Sequence, residues 1–507
     1  MVASPPAIPD IPPDIAQVAS RGAIAITAAK AYFMVTGLLT HIVLPRILSA
    51  EQFGLYSIAV GVASIINAVV ITGTVQTVSK FVSADRSQAG AITRKALTLQ
   101  VLVGGGIAAA YYLLAPIIAR YLHDAKLTDL FRLTALITFS YSLYAIFVGA
   151  LNGRREFFKQ ASLDVWYSTF KVVFVLALAA LGYAVMGALG GWLLASVLAL
   201  GLSALVAGAK QATGPPRPVG ARELLSYQSM VLILILIVNL LQRVDLLMVK
   251  ALSSQDQHVA STMAGYYNAV TTIASVTFQS IIALPIVAFP LIAESAARAD
   301  AAVTSKYIYQ TMRFSLMIMA FLAAVFSSNA GELLGLIYTQ EYLAGTAALR
   351  LVPWGMLLFG LLYVSVTIIS SCGTPRASVF IGLITLLVAA SLNFWLIPRL
   401  GLQGAALGTV GAMFVGFTAA ALYLLKHFSA LLRPLSGIRI LLAVSAVYFL
   451  SALLPQGGLF TLAKLVLQGL SYLVVLLTTG EIGKEELKTI RRMLTAGAGS
   501  ADASRAS

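Results

Sequence analysis

Residues 53–65 read FGLYSIAVGVASI, and residues 264–276 read AGYYNAVTTIASV. The second stretch resembles the first, and their glycines, Gly54 and Gly265, stand 211 residues apart. Two further pairs follow in the same order. GALNGRREF (149–157) is echoed by SSCGTPRAS (370–378), and YAVMGALGGWLLAS (183–196) by RLGLQGAALGTVGA (399–412). Their glycine-to-glycine offsets, 220 and 217 residues, are nearly the first one. Three weak matches at one spacing imply a duplicated chain.

The repeated unit is a membrane unit. The chain has 507 residues, of which 59% are hydrophobic and 10% charged, with a mean hydropathy of +0.90. Soluble domains carry about 25% charged residues. Val172–Ala209, Val259–Ala293, Leu351–Pro375 and Leu400–Leu425 hold no Asp, Glu, Lys or Arg at all. About 20 apolar residues cross the hydrocarbon core as a helix. The alternating ten-residue segments of a barrel are missing, so helices are the spanning elements. Breaks in the apolar pattern give about fourteen spans, the seventh at 226–250 and the eighth at 264–290. The predicted fold is therefore all-α and polytopic, with two parallel six-helix lobes plus two extra helices. Six spans separate the copies; an even number preserves orientation, so the repeat axis lies along the membrane normal. The expected divisions are a disordered Pro-rich tail (1–20), an N-terminal lobe (21–210), a cytoplasmic linker (211–225), a C-terminal lobe (226–427), two added spans (428–480) and a cytoplasmic amphipathic tail (481–507).

The net charge is +15. In a soluble protein this would suggest nucleic acid. Here the basic residues collect in alternate loops: 22 Lys and Arg fall on one side and 6 on the other. The basic side is cytoplasmic by the positive-inside rule, which puts both termini there. The N-terminal stretch lacks the basic start and apolar run of a signal peptide. A lone cysteine, Cys372, excludes an internal disulfide. The four histidines have no metal-ligand spacing, and there is no phosphate-binding glycine loop or nucleophile elbow. No cofactor, no catalytic residue and no enzyme activity are expected.

Residues 231–250 read VLILILIVNLLQRVDLLMVK. An ionisable group inside a span costs at least about 2.5–3.5 kcal/mol on insertion scales, and such groups rarely face lipid. Lys30, Lys171, Arg243 and Arg313 lie deep in predicted spans, whereas Arg350 and Lys464 lie near outer ends, where a long side chain can snorkel to the interface. On a continuous helix Asn239, Gln242 and Arg243 share one face, while Arg243 and Asp245 point apart. The bland reading of such residues is interhelical hydrogen bonding. The functional one is a polar wall suited to an anion, with Asp245 pairing across to another helix or coupling an ion.

VLPRILSAEQFGLYSIAVGV (43–62), ALNGRREFFKQASLDVWYSTFKVVFVL (150–176), QRVDLLMVKAL (242–252), ELLGLIYTQEYLAGTAALRLV (332–352) and LNFWLIPRLGLQGAALGTV (392–410) resemble polysaccharide transporters. These are the Wzx-like O-antigen flippases of the multidrug/oligosaccharidyl-lipid/polysaccharide exporter superfamily, and the resemblance runs over roughly 20–495. It implies a bacterial inner-membrane protein with a cationic cavity. The implied substrate is an undecaprenyl-diphosphate-linked oligosaccharide, moved from the inner to the outer leaflet for O-antigen, lipopolysaccharide or exopolysaccharide assembly. Lys30, Lys171, Asn239, Gln242, Arg243 and Arg313 are then the expected substrate contacts and Asp245 the ion-coupling residue. The coupling ion would be H+ or Na+, and glycan polymerase and export machinery would be partners. Other readings are a lipid II-type flippase, a drug/cation antiporter of the same superfamily, and, from a different class, a membrane enzyme of glycan assembly.

Overall fold

A computed structural model describes residues 13–207, 233, 235–298, 300–455, 457 and 460–483. Among these residues the chain is helical throughout, with no strand. In hydrocarbon every backbone N–H and C=O must find its partner within the segment, which a helix achieves by itself. Among the described residues eleven segments are long and apolar enough to cross a membrane. The chain is thus an all-α polytopic membrane protein.

The first half runs α1 (Pro13–Ile47), α2 (Ala50–Ala84), α3 (Ala89–Tyr121), α4 (Leu127–Gly153), α5 (Phe157–Leu178) and α6 (Ala184–Ala207). α1 starts inside the stretch expected to be a tail; Pro13 is tolerated because the first helical residue needs no N–H partner. α2 opens on a capping box: Gln52 N–H donates to Ser49 Oγ at 3.3 Å and Ser49 N–H to Gln52 Oε1 at 3.2 Å. The apolar segment Phe157–Ala207 is two spans. It reverses at Ala179–Tyr183, where Gly182 sits at φ 94°, a value that side-chain-bearing residues rarely adopt. α5 and α6 then pack so tightly that a Cβ on Gly191 would strike the Phe174 carbonyl.

The second half runs α7 (235–241), α8 (Val244–Leu252), α9 (Gln257–Gln279), α10 (Ala283–Ala297), α11 (Ala301–Ser328), α12 (Ala330–Ile337), α13 (Thr346–Leu349), α14 (Val352–Ser371), α15 (Pro375–Leu400) and α16 (Leu402–Phe428). α17 (Pro434–Leu453) and α18 (Phe460–Thr478) are the two added helices. Two expected spans are not single helices. The eighth breaks at 280–282, between α9 and α10. The seventh breaks at Gln242–Arg243. The expected outer loop at 329–347 contains α12, whose buried Leu333 and Leu334 anchor it.

The duplication is visible in which helices touch. α2 packs on α4, α3 on α4, α4 on α6 and α5 on α6. In the second half α10 packs on α14, α11 on α14, α14 on α16 and α15 on α16. The chain divides into two compact units, Met1–Asn268 and Ala269–Ser507. The division falls inside α9, so α8 and the start of α9 belong with the first six helices. The linker expected at 211–225 lies outside the described residues, as does the expected amphipathic tail beyond residue 483.

Candidate functional site

The helix break at 242–243 is the local feature that builds the site. Asn239 Nδ2 takes up the Ile235 carbonyl at 2.8 Å. One residue past the last i−4 step, Gln242 N–H to the Val238 carbonyl at 3.3 Å, the Arg243 N–H reaches the Leu240 carbonyl at 3.0 Å, an i−3 bond in place of the i−4 ladder. Arg243 leaves helical geometry (φ −128°) and precedes the first turn of α8. The face shared by Asn239, Gln242 and Arg243 on an unbroken helix is therefore replaced by a turn that presents Arg243 separately. Asp245 sits in that first turn, where the positive end of the helix dipole favours a carboxylate. It is buried, and its oxygens accept the Leu246 N–H at 2.8 Å and the Tyr267 hydroxyl at 2.9 Å. Asp245 is thus bonded to α9, as a residue pairing across to a neighbouring helix should be.

Lys171 approaches the same region from α5. It makes no ion pair among the described residues. Its Nζ lies 4.4 Å from the Trp192 ring centroid on α6 and 6.0 Å from that of Phe33 on α1. Such cation–π contacts contribute about 0.5–2 kcal/mol, more when desolvated. The aromatic wall behind it is ordered by hydrogen bonds. Trp192 Nε1 donates to the Tyr167 hydroxyl at 2.8 Å, and Tyr167 stacks on Tyr141 at 4.8 Å and lies 5.7 Å from Tyr144. Arg243 is close enough to Lys171 for their charges to interact, and His41 on α1 stands in the field of both. Arg243 likewise makes no ion pair with a described residue. Two cationic side chains and the His41 imidazole meet here, and Asp245, bonded to Tyr267, is also close enough to Arg243 for their charges to attract.

The other expected contacts are placed differently. Lys30 is exposed on α1, within electrostatic range of Asp164 on α5, which also accepts the Tyr144 hydroxyl at 3.1 Å. Arg313, in the second unit, donates from Nε to Glu481 Oε1 at 2.7 Å, and Glu481 also pairs with Arg439 at 3.4 Å. Arg313 therefore has an acidic partner in the segment after the last span. Its sequence reading as an uncompensated cation is corrected, because the neutralising carboxylate lies 168 residues away. Lys464 does not snorkel. Its side chain is 1% exposed and bonds Glu332 Oε1 at 2.6 Å. Glu332 and Glu481 were missed as partners because only tertiary packing brings them to α18 and α11. Among the described residues no group of three His, Cys, Asp or Glu could hold a metal ion.

Residues 19–296 match the family model described as polysaccharide biosynthesis protein. The chain belongs to the polysaccharide biosynthesis protein family. The matched region includes Lys30, Lys171 and the 239–245 break and leaves out Arg313. No curated protein sequence matches this family member. Its fold is shared with solved transporters. One is "Lipid II flippase MurJ, inward closed conformation", at 13% identity and TM-score 0.71, covering 90% of this chain and 99% of that one. A second is an inward-facing multidrug resistance MATE family transporter of the MOP superfamily, at 16% identity and TM-score 0.63, covering 79% and 96%. A third, outward-facing MATE structure gives 15% identity and TM-score 0.60, covering 84% and 96%. At these identities the likeness is one of fold.

Proposed function

We propose that the protein is a flippase of polysaccharide assembly. It carries a polyprenyl-diphosphate-linked oligosaccharide from the cytoplasmic to the outer leaflet of a bacterial inner membrane by alternating access. The observation that carries this reading is the approach of two cations, Lys171 against the Trp192 and Phe33 rings and Arg243 at the helix break, inside the apolar first unit, with neither in an ion pair among the described residues. Leaving such charges uncompensated is costly unless an anion arrives to pair with them. A diphosphate is such an anion, and guanidinium and ammonium groups bind it by charge-assisted hydrogen bonds. Aromatic faces beside the cations suit the apolar faces of sugar rings. The bilayer interior opposes phosphate and sugar alike, so a shielding polar path is what flipping requires.

Lys171 and Arg243 are assigned to the diphosphate, with Asn239 and Gln242 near the headgroup and Lys30 guiding its approach. Arg313 is reassigned to holding the segment after α18. Asp245 is the coupling residue for H+ or Na+, since Tyr267 and a helix N-terminus already support its charge. Deletion of the protein tests the reading. Full-length lipid-linked oligosaccharide should accumulate on the cytoplasmic leaflet with its synthesis intact. Accumulation of shortened or unmodified glycans would favour an enzyme of glycan assembly instead.

A further inference from the structure

Three contacts join first-half helices to α8 and α9 within the first compact unit, at the ends that the basic-residue asymmetry assigns to the outer side. The first is a buried ion pair. Lys250, with its side chain 0% exposed, donates from Nζ to Asp124 Oδ2 at 2.8 Å, to Ser261 Oγ at 2.6 Å and to the Gln257 carbonyl at 3.3 Å. Asp124, in the turn between α3 and α4, also accepts the Lys126 N–H at 3.0 Å and the Ser261 hydroxyl at 3.4 Å. The second contact is more exposed. Glu51 Oε1 pairs with Lys126 Nζ at 3.3 Å and with His258 Nδ1 at 2.8 Å. The third lies between them. Gly54 of α2 and Gly265 of α9 cross so closely that a Cβ on the first would enter the Ser261 carbonyl and one on the second the Ala50 carbonyl. These are the matching glycines of the sequence repeat.

This chemistry is suited to a joint that opens. A buried ion pair adds little to a static contact, because desolvating both charges offsets most of their attraction; apolar residues would hold as well or better. Its advantage is selectivity between two states. Closed, every partner must be in register; opened, both charges return to water and are solvated. The glycine crossing seats backbone on backbone with no interlocked side chains, so the helices can part and re-seat.

We propose that Asp124, Lys250 and Ser261, with the Gly54–Gly265 crossing and the Glu51–His258 pair, form a latch that seals the outer end of the transport path and opens once in each cycle. This rests on the flippase reading. The test uses a Cys372→Ser background. Glu51→Cys with His258→Cys is bridged by a short reducible bis-methanethiosulfonate. Outward flipping of a fluorescent polyprenyl-diphosphate oligosaccharide in proteoliposomes should fall at least tenfold on bridging and return with reductant. Unchanged flipping through bridged protein overturns the latch. A second readout needs no substrate. Ser57, one turn further along α2, is buried. Ser57→Cys should be labelled by an outer, membrane-impermeant maleimide severalfold faster when Asp124→Asn is added, and slowly again in the Asp124→Lys, Lys250→Asp exchange. Labelling that Asp124→Asn leaves unchanged in monodisperse protein also overturns it. If labelling responds as expected but no variant, nor the parent, moves the glycolipid, the latch stands and the flippase reading falls.

Discussion

At the scale of single residues, the basic groups divide by whether tertiary structure supplies an acid. Among the described residues Arg313 and Lys464 each form an ion pair with a glutamate, while Lys171 and Arg243 form none. Arg243→Glu should therefore abolish glycolipid flipping while membrane abundance stays near normal. Arg243→Lys, which keeps charge but loses the planar two-pronged donor, should retain partial activity. Full transport by Arg243→Glu, or failure of that variant to insert, would return the site to a structural role. Glu481→Gln should act the other way. It leaves Arg313 and Arg439 without their shared carboxylate, and removing one partner of a buried pair costs roughly 3–5 kcal/mol. Thermal unfolding in detergent should show that loss, with flipping per folded molecule unchanged.

At the scale of elements, α17 and α18 are fastened by polar contacts rather than by shape alone. Lys464 meets Glu332, Gln468 Oε1 accepts from Asn329 at 2.9 Å, and the Tyr472 hydroxyl donates to the Met317 carbonyl at 2.8 Å. Oily helices have no hydrophobic drive to associate within lipid, so hydrogen bonds and close packing must do so. Lys464→Met strands Glu332 and should expose α18 to limited proteolysis; Lys464→Met with Glu332→Leu should restore protection. Equal protease resistance in parent and single variant would mean the ion pair does not dock α18. The turn between α5 and α6 makes a similar demand on backbone. Gly182→Val forces a β-branched residue to φ 94° and should cost about 1–3 kcal/mol. A melting temperature equal to the parent's would show that the turn relaxes.

At the scale of the whole molecule, the charge asymmetry predicts topology. Reporter fusions after Ala209 and after Arg505 should read cytoplasmic, and one within 253–263 should read external. A C-terminal fusion reading external would make the span count odd and sink the parallel repeat. The fold places Asp124, Lys250 and Ser261 together, and the fusion within 253–263 tests whether that cluster lies on the external side, as the latch requires.

The sequence by itself determined the all-helical membrane class, the duplicated six-span plan and the presence of costly charges inside it. Those follow from composition, offset and period, which are local or strictly repetitive along the chain. It could not show where helices break. The seventh span has no Pro or Gly between 231 and 250, so nothing in the local sequence marks its interruption at 242–243. Nor could it show which charge meets which. Arg313 with Glu481, Lys464 with Glu332, and Lys250 with Asp124 are 168, 132 and 126 residues apart. Coulombic pairing acts over a few ångströms in space and carries no period in sequence. Only the tertiary structure therefore decided which of these cations meets a carboxylate.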